Sequence, residues 1–109
     1  MTKKPNKPNG LNKFQVVLLK DLAALGTGTT GVAAKLRSKG FKGYRGTADS
    51  CPVAHYLMSE YPSEYVAVSG SETTVNGVTV LTPKPIAEFI TKFDNGDYPN
   101  LDENPMEDN

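Results

Sequence analysis

Cys51 and His55 are the only thiol and the only imidazole in the chain, and they stand four positions apart. Within a helix that spacing places them on one face. A cysteine at a helix N-terminus has its thiolate stabilised, and a neighbouring imidazole can serve as its base. The orienting carboxylate would have to be a residue such as Asp49. The competing reading is a small buried cysteine beside a histidine held by ordinary hydrogen bonds, and it is the better one. A metal centre would need scattered carboxylates to complete the ligand set. No cofactor and no catalytic residue is therefore assigned, and a cysteine-dependent enzyme is the minor alternative.

The second chemical lead is charge. Net charge is zero, yet residues 1–45 carry ten Lys or Arg against the single acid Asp21, a net of +9, and residues 46–109 carry a net of −9. Lys35, Arg37, Lys39, Lys42 and Arg45 form the densest basic group. Such a group suits phosphate contacts that are salt-sensitive and read little sequence. Cations at the end of a helix also complement its dipole, which gives part of the cluster a structural reason. The glycines of GTGTTG follow neither the dinucleotide nor the P-loop spacing, so a helix–helix connection is preferred to a phosphate cradle. The acids Asp94, Asp97, Asp102, Glu103, Glu107 and Asp108 lack calcium-loop spacing. They read instead as an acidic end that can compete for the basic half.

The third lead is aromatic. Tyr44, Tyr56, Tyr61, Tyr65 and Tyr98 offer amphipathic contact area for a protein partner. Four of them, Tyr44, Tyr56, Tyr61 and Tyr98, are the partner-binding candidates.

These residues must be carried by one domain, the number that 109 residues allow. One cysteine excludes an intrachain disulfide. The basic start is followed by no signal-type apolar region, and no apolar run is long enough for a membrane helix. A cytoplasmic location and no membrane partner are the expectation.

The spacing predicts a first helix over Leu11 to Leu25, with Leu11, Phe14, Leu18, Leu22 and Leu25 on one stripe. Val16, Val17 and Leu19 widen the stripe, which implies burial on more than one side. Asn9 is the expected cap. A second helix is expected over Gly31 to Ser38, capped by Thr29 or Thr30 and ended by Gly40. The third begins near Cys51, capped by Ser50 or Asp49, with Pro52 in its first turn and Pro62 closing it. Tyr65 to Val68 and Val78 to Leu81 read as strands. Asn76-Gly77 marks a type I′ turn, favouring a three-stranded meander over a plain hairpin. Thr82 caps and Pro83 opens a last helix whose Ile86, Phe89, Ile90 and Phe93 have helical spacing.

The expected architecture is thus α+β: three N-terminal helices, a small antiparallel hairpin or meander, and a C-terminal helix. Residues 1–10 are expected to be a flexible basic segment, 11–101 the domain, and 102–109 a flexible acidic tail. Three helices and a hairpin also give the coarse order of a winged helix. The third helix, however, has no Arg or Lys with which to read bases.

Two patterns bear a resemblance. Cys51, Pro52, Ala54, Tyr56 and Leu57 form Cys-Pro-x-Ala-x-Tyr-Leu, and Phe93, Asp94, Gly96, Tyr98, Pro99 and Leu101 form Phe-Asp-x-Gly-x-Tyr-Pro-x-Leu. In both, the chain resembles small uncharacterised proteins of actinobacteria and their phages. The resemblance implies that Tyr98 to Leu101 docks on the domain, and it implies no activity. The function expected is a small non-enzymatic accessory or regulatory protein that binds a protein partner, with nucleic-acid binding through the basic half as the alternative. Oligomeric state is not legible from the sequence.

Overall fold

The computed structural model describes residues 12–62 and 65–104. The elements follow the expected order: α1 (Lys13–Ala23), α2 (Thr29–Lys39), α3 (Pro52–Glu60), β1 (Val66–Val68), β2 (Glu72–Val75), β3 (Val78–Leu81), α4 (Lys84–Asp94) and a short 3₁₀ turn at Pro99–Leu101. The class is α+β, as expected.

Local chemistry sets the boundaries. α1 starts at Asn12, whose side chain accepts from the Gln15 amide while Gln15 reaches back to the Asn12 amide at 2.9 Å, a reciprocal capping box. The cap expected at Asn9 lies outside the described residues. α2 is capped by Gly28 with no side-chain bond, so neither Thr29 nor Thr30 serves as its cap; both lie inside the helix. Cys51 itself caps α3, its sulfur accepting from the Ala54 amide at 3.4 Å, in place of Ser50 or Asp49. α4 is preceded by Pro83 rather than Thr82. The Thr82 hydroxyl instead donates to Ser69 O and meets the hydroxyl of Thr73. That bond satisfies Thr73, which is fully buried, as an interior hydroxyl requires.

The three strands form an antiparallel meander in the order β1-β2-β3. Val66 faces Val75 across the first ladder, and Val75 faces Val78 across the second. Two residues link β2 to β3. Asn76 has φ 50° and Gly77 φ 88°, the left-handed pair that a type I′ turn needs. Alternation then directs Val66, Val68, Thr73, Val75 and Val80 into one layer.

Against that layer pack Leu18, Leu22 and Leu25 at the α1 end, Val32 and Leu36 of α2, Val53 and Leu57 of α3, and Ile86, Phe89 and Phe93 of α4. Phe89 stacks on Phe93 at 5.8 Å and on Tyr98 at 5.3 Å. Tyr98 to Leu101 is therefore docked, with Leu101 buried.

Two expectations on burial change. The stripe on α1 does not bury on more than one side: Phe14 is 69 % exposed, Val17 42 % and Val16 38 %. One helix lying on one small sheet covers only the Leu18–Leu22 side. Asp102, expected to begin a free tail, is buried instead. Its backbone forms a parallel bridge with Gly43, the Gly43 amide donates to Leu101 O, and the Glu103 amide donates to Gly43 O.

Candidate functional site

An apolar groove lies between α1 and the β2–β3 turn. It is a groove of about 340 Å³ lined by Phe14, Val17 and Leu18 of α1, Tyr61 and Pro62 after α3, and Val75, Asn76 and Val78 at the turn. That volume is at the small end of ligand pockets, which run from about 300 to 1,000 Å³. α1 is held over β3 in part by the Gln15 side-chain amide, which donates to Thr79 O at 2.9 Å. Pro62 ends α3 and turns the chain so that Tyr61 becomes one wall. Tyr65, more than half exposed, follows near the turn, its amide donating to the Asn76 side chain.

Tyr61 also ties the groove wall to α1. The Tyr61 hydroxyl donates to the Asp21 carboxylate, and the Tyr56 hydroxyl donates to the Asp21 carbonyl at 3.1 Å. Burial raises the Tyr61 hydroxyl, and the hydrogen bond to Asp21 and the charges of Asp21 and Glu60 raise it further. Burial, Asp21 and Glu60, in that order, push Tyr56 up to about 12.

The tyrosine candidates separate in the structure. Tyr61 lines the groove and Tyr44 is exposed. Tyr56 is a correction: it is buried, edge-to-face with Phe41 at 5.9 Å, and offers no contact surface. Tyr98 is half-buried against Phe89, so its ring is already committed to packing.

Cys51 and His55 each have a partner of their own. The thiol is buried and, by that burial above all, pushed up to about 11, so it stays protonated at neutral pH. His55 Nδ1–H donates to the Lys42 carbonyl at 2.5 Å, which ties the ring to the preceding loop rather than to sulfur. Among the described residues no group of three potential metal ligands converges.

The basic candidates divide as well. Lys35, Arg37, Lys39 and Lys42 are exposed. Arg45 is not free: its Nε lies 2.5 Å from Asp102 Oδ2 and a terminal nitrogen donates to Asn104 O at 3.0 Å. The glycine-rich connection leads into α2, whose Thr29 hydroxyl donates to the Glu88 carboxylate at 3.5 Å. A carboxylate already stands beside that N-terminus, contrary to what an anion site there would need. The outward face of α3 presents His55, Met58, Ser59 and Glu60, which gives a winged-helix docking no cation.

Sequence reasoning missed Phe14 and Val17 by assigning them to the core. The usable signal was excess: Phe14, Val16, Val17, Leu18, Leu19 and Leu22 span more of a helix than one small sheet can cover. No helix among the described residues is long and apolar enough to cross a membrane. No protein family, curated protein or solved structure matches the chain.

Proposed function

We propose that the chain is a small non-enzymatic accessory or regulatory protein that docks a protein partner in the groove between α1 and the β2–β3 turn. The observation that carries this reading is the exposure of Phe14 and Val17 beside a concave apolar wall, on a helix that buries Leu18 and Leu22. Covering such side chains contributes about 1.5–3 kcal/mol each. Clustered exposed apolar groups beside a groove mark contact sites more often than scattered ones do. The buried, protonated Cys51 supports a role without covalent chemistry.

The test is site-specific photocrosslinking in the cells that make the protein. A photoreactive phenylalanine at position 14 should capture one protein, while the same group at Lys92 should not. Equal capture at both positions, or none at position 14, would exclude the reading.

A second reading is favoured by the exposure of Lys35, Arg37, Lys39 and Lys42: binding of a nucleic-acid backbone through α2 and the loop after it. Fluorescence anisotropy of a labelled random duplex at two salt concentrations tests it. Binding that weakens steeply with salt supports it, and no binding at low salt eliminates it.

A further inference from the structure

We propose that the outer edge of β3 takes up an extended segment of a partner protein as a fourth strand. The segment lies in the open groove between that edge and α1, with a lysine or arginine laid over Leu81 toward Glu72. The site is on the other flank of α1 from Phe14 and Val17, and it stands or falls independently of the docking reading above.

The register shows which main-chain groups are open. The Thr82 amide donates to Ser71 O, so residues 71 and 82 are a hydrogen-bonded pair; alternation makes Thr73–Val80 and Val75–Val78 the next two. Thr79 and Leu81 therefore turn their amides and carbonyls away from β2. The Gln15 side chain on α1, which donates to Thr79 O at 2.9 Å, marks that direction. Among the described residues the Thr79 amide and both main-chain groups of Leu81 have no partner.

The opposite edge differs. On β1 the Val68 amide donates to Ala48 O at 2.7 Å, so the segment before α3 already occupies a donor there. β3 also lacks the devices that keep an edge from pairing. Val78–Leu81 holds no charge, proline or bulge, and Leu81 is 77 % exposed.

These groups define the occupant. Open amides and carbonyls two residues apart are matched by another extended main chain, as in strand addition. The groove is lined by Gln15, Leu19, Glu72, Thr79, Val80 and Leu81. Glu72 is directly opposite Leu81 in the register, so both stand on the same open face of the sheet. Among the described residues Glu72 forms no salt bridge. A segment residue paired with Leu81 shares that face, and a lysine or arginine there lays its stem on Leu81 and brings its charge to Glu72. The residues on either side of it point toward α1, where Leu19 favours an apolar side chain.

The experiment begins with amide hydrogen exchange, read by NMR on the full-length protein. Thr79 and Leu81 should exchange fast while Val78 and Val80 are protected. Slow exchange at Thr79 and Leu81 in the free chain overturns the proposal, because the edge is then already covered. Protection that grows with protein concentration puts a second copy there and overturns it too.

A random displayed peptide library is then selected on the same protein. Enriched peptides should protect Thr79 and Leu81. N-methylation of alternate peptide amides should weaken them at least about tenfold, and N-methylation of the intervening amides should not. Leu81→Pro removes an outward amide and spares the β2 ladder, and it should abolish binding. Glu72→Gln and replacement of the peptide's cation by Gln should each cost about fivefold and not add.

Peptides that tolerate methylation at every amide, or that bind Leu81→Pro equally well, overturn strand addition, as does a library that yields none. Peptides lost with Phe14→Ser belong to the other groove and overturn this site. If strand addition holds but Glu72 and the peptide's charge are ignored, the cation fails and the edge stands. Should Leu81→Pro unfold the protein, the methylated peptides decide on the unaltered chain.

Discussion

Arg45 and Asp102 are 57 residues apart in the chain, yet Nε of the first lies 2.5 Å from Oδ2 of the second. The aspartate side chain is 2 % exposed and that of the arginine 23 %. Asp102 Oδ1 also accepts from the Asn104 amide at 2.9 Å, so both carboxylate oxygens are occupied. The pair fastens the last described residues to the α2–α3 connection.

Removing Arg45 leaves the buried Asp102 carboxylate without its cation, whereas removing Asp102 leaves an arginine that still reaches water. Arg45→Ala should therefore cost more than Asp102→Ala, with about 3–5 kcal/mol as its upper range, the figure for stranding one charge of a fully buried pair. The double variant should be less damaging than the sum of the two. Urea denaturation of all four proteins measures this. Ending the chain at Leu101 should be similarly harmful, because it also removes the Glu103-to-Gly43 bond.

Gly43 is where two backbones meet. A Cβ there would collide with Ser50 O and lie 2.5 Å from the Cys51 carbonyl carbon. Both obstacles are main chain and cannot rotate aside. Gly43→Ala should therefore lower stability by about 3 kcal/mol or more, whereas Gly70→Ala, with open space around it, should be mild. Thermal melts of the two variants side by side provide the check.

The Cys51 thiol gives a pH signature. Its pKa rises from 9.0 to about 11 in the folded chain, so between those values the unfolded chain releases a proton that the folded chain keeps. Stability is then fully present below pH 9 and falls by about 2–3 kcal/mol as pH approaches 11. Tyr56, pushed from 10.0 to about 12, steepens the fall above pH 10. Cys51→Ser keeps a capping oxygen but no group that titrates there, and should flatten the limb between pH 9 and 10. Denaturant midpoints across that range test this, and native-state thiol labelling should be slow until urea is added.

Exposure on α1 separates two apolar positions that the sequence treats alike. Phe14→Ser should change stability by no more than about 0.5 kcal/mol, as surface substitutions do. Leu18→Ala, one turn on and buried, should cost about 2–5 kcal/mol. Urea midpoints of the two variants compare them. Equal costs would mean that Phe14 belongs to the core and that the groove is closed.

Element types and order were legible because the signals are local. Asn76-Gly77 admits few conformations, and Ile86, Phe89, Ile90 and Phe93 suit only a helix lying on a core. Both readings survive in the structure. Which face of a helix is covered depends on how much surface its neighbours can offer, and that is not local. Phe14 and Val17 were therefore placed inside, and the groove they line was invisible. Tyr56 failed as a contact candidate for the converse reason, since its hydroxyl finds Asp21 O 35 residues away and permits burial. Asp102 sits in a run of acids that reads as solvated. Nothing near it announces Arg45, so the boundary expected at residue 102 fell inside the packed structure.

The parallel bridge between Gly43 and Asp102 has a consequence for the order of assembly. The loop that holds Gly43, packed on the Ser50–Cys51 main chain, is made early, but its partners, residues 101 to 103, follow the four helices and three strands of the described residues. Contacts of such long sequence separation form late, because chain entropy must be given up before they contribute. On the ribosome, the α2–α3 connection therefore lies unlatched while all the regular elements emerge. The final few described residues act as a clasp that closes on that connection only when they arrive.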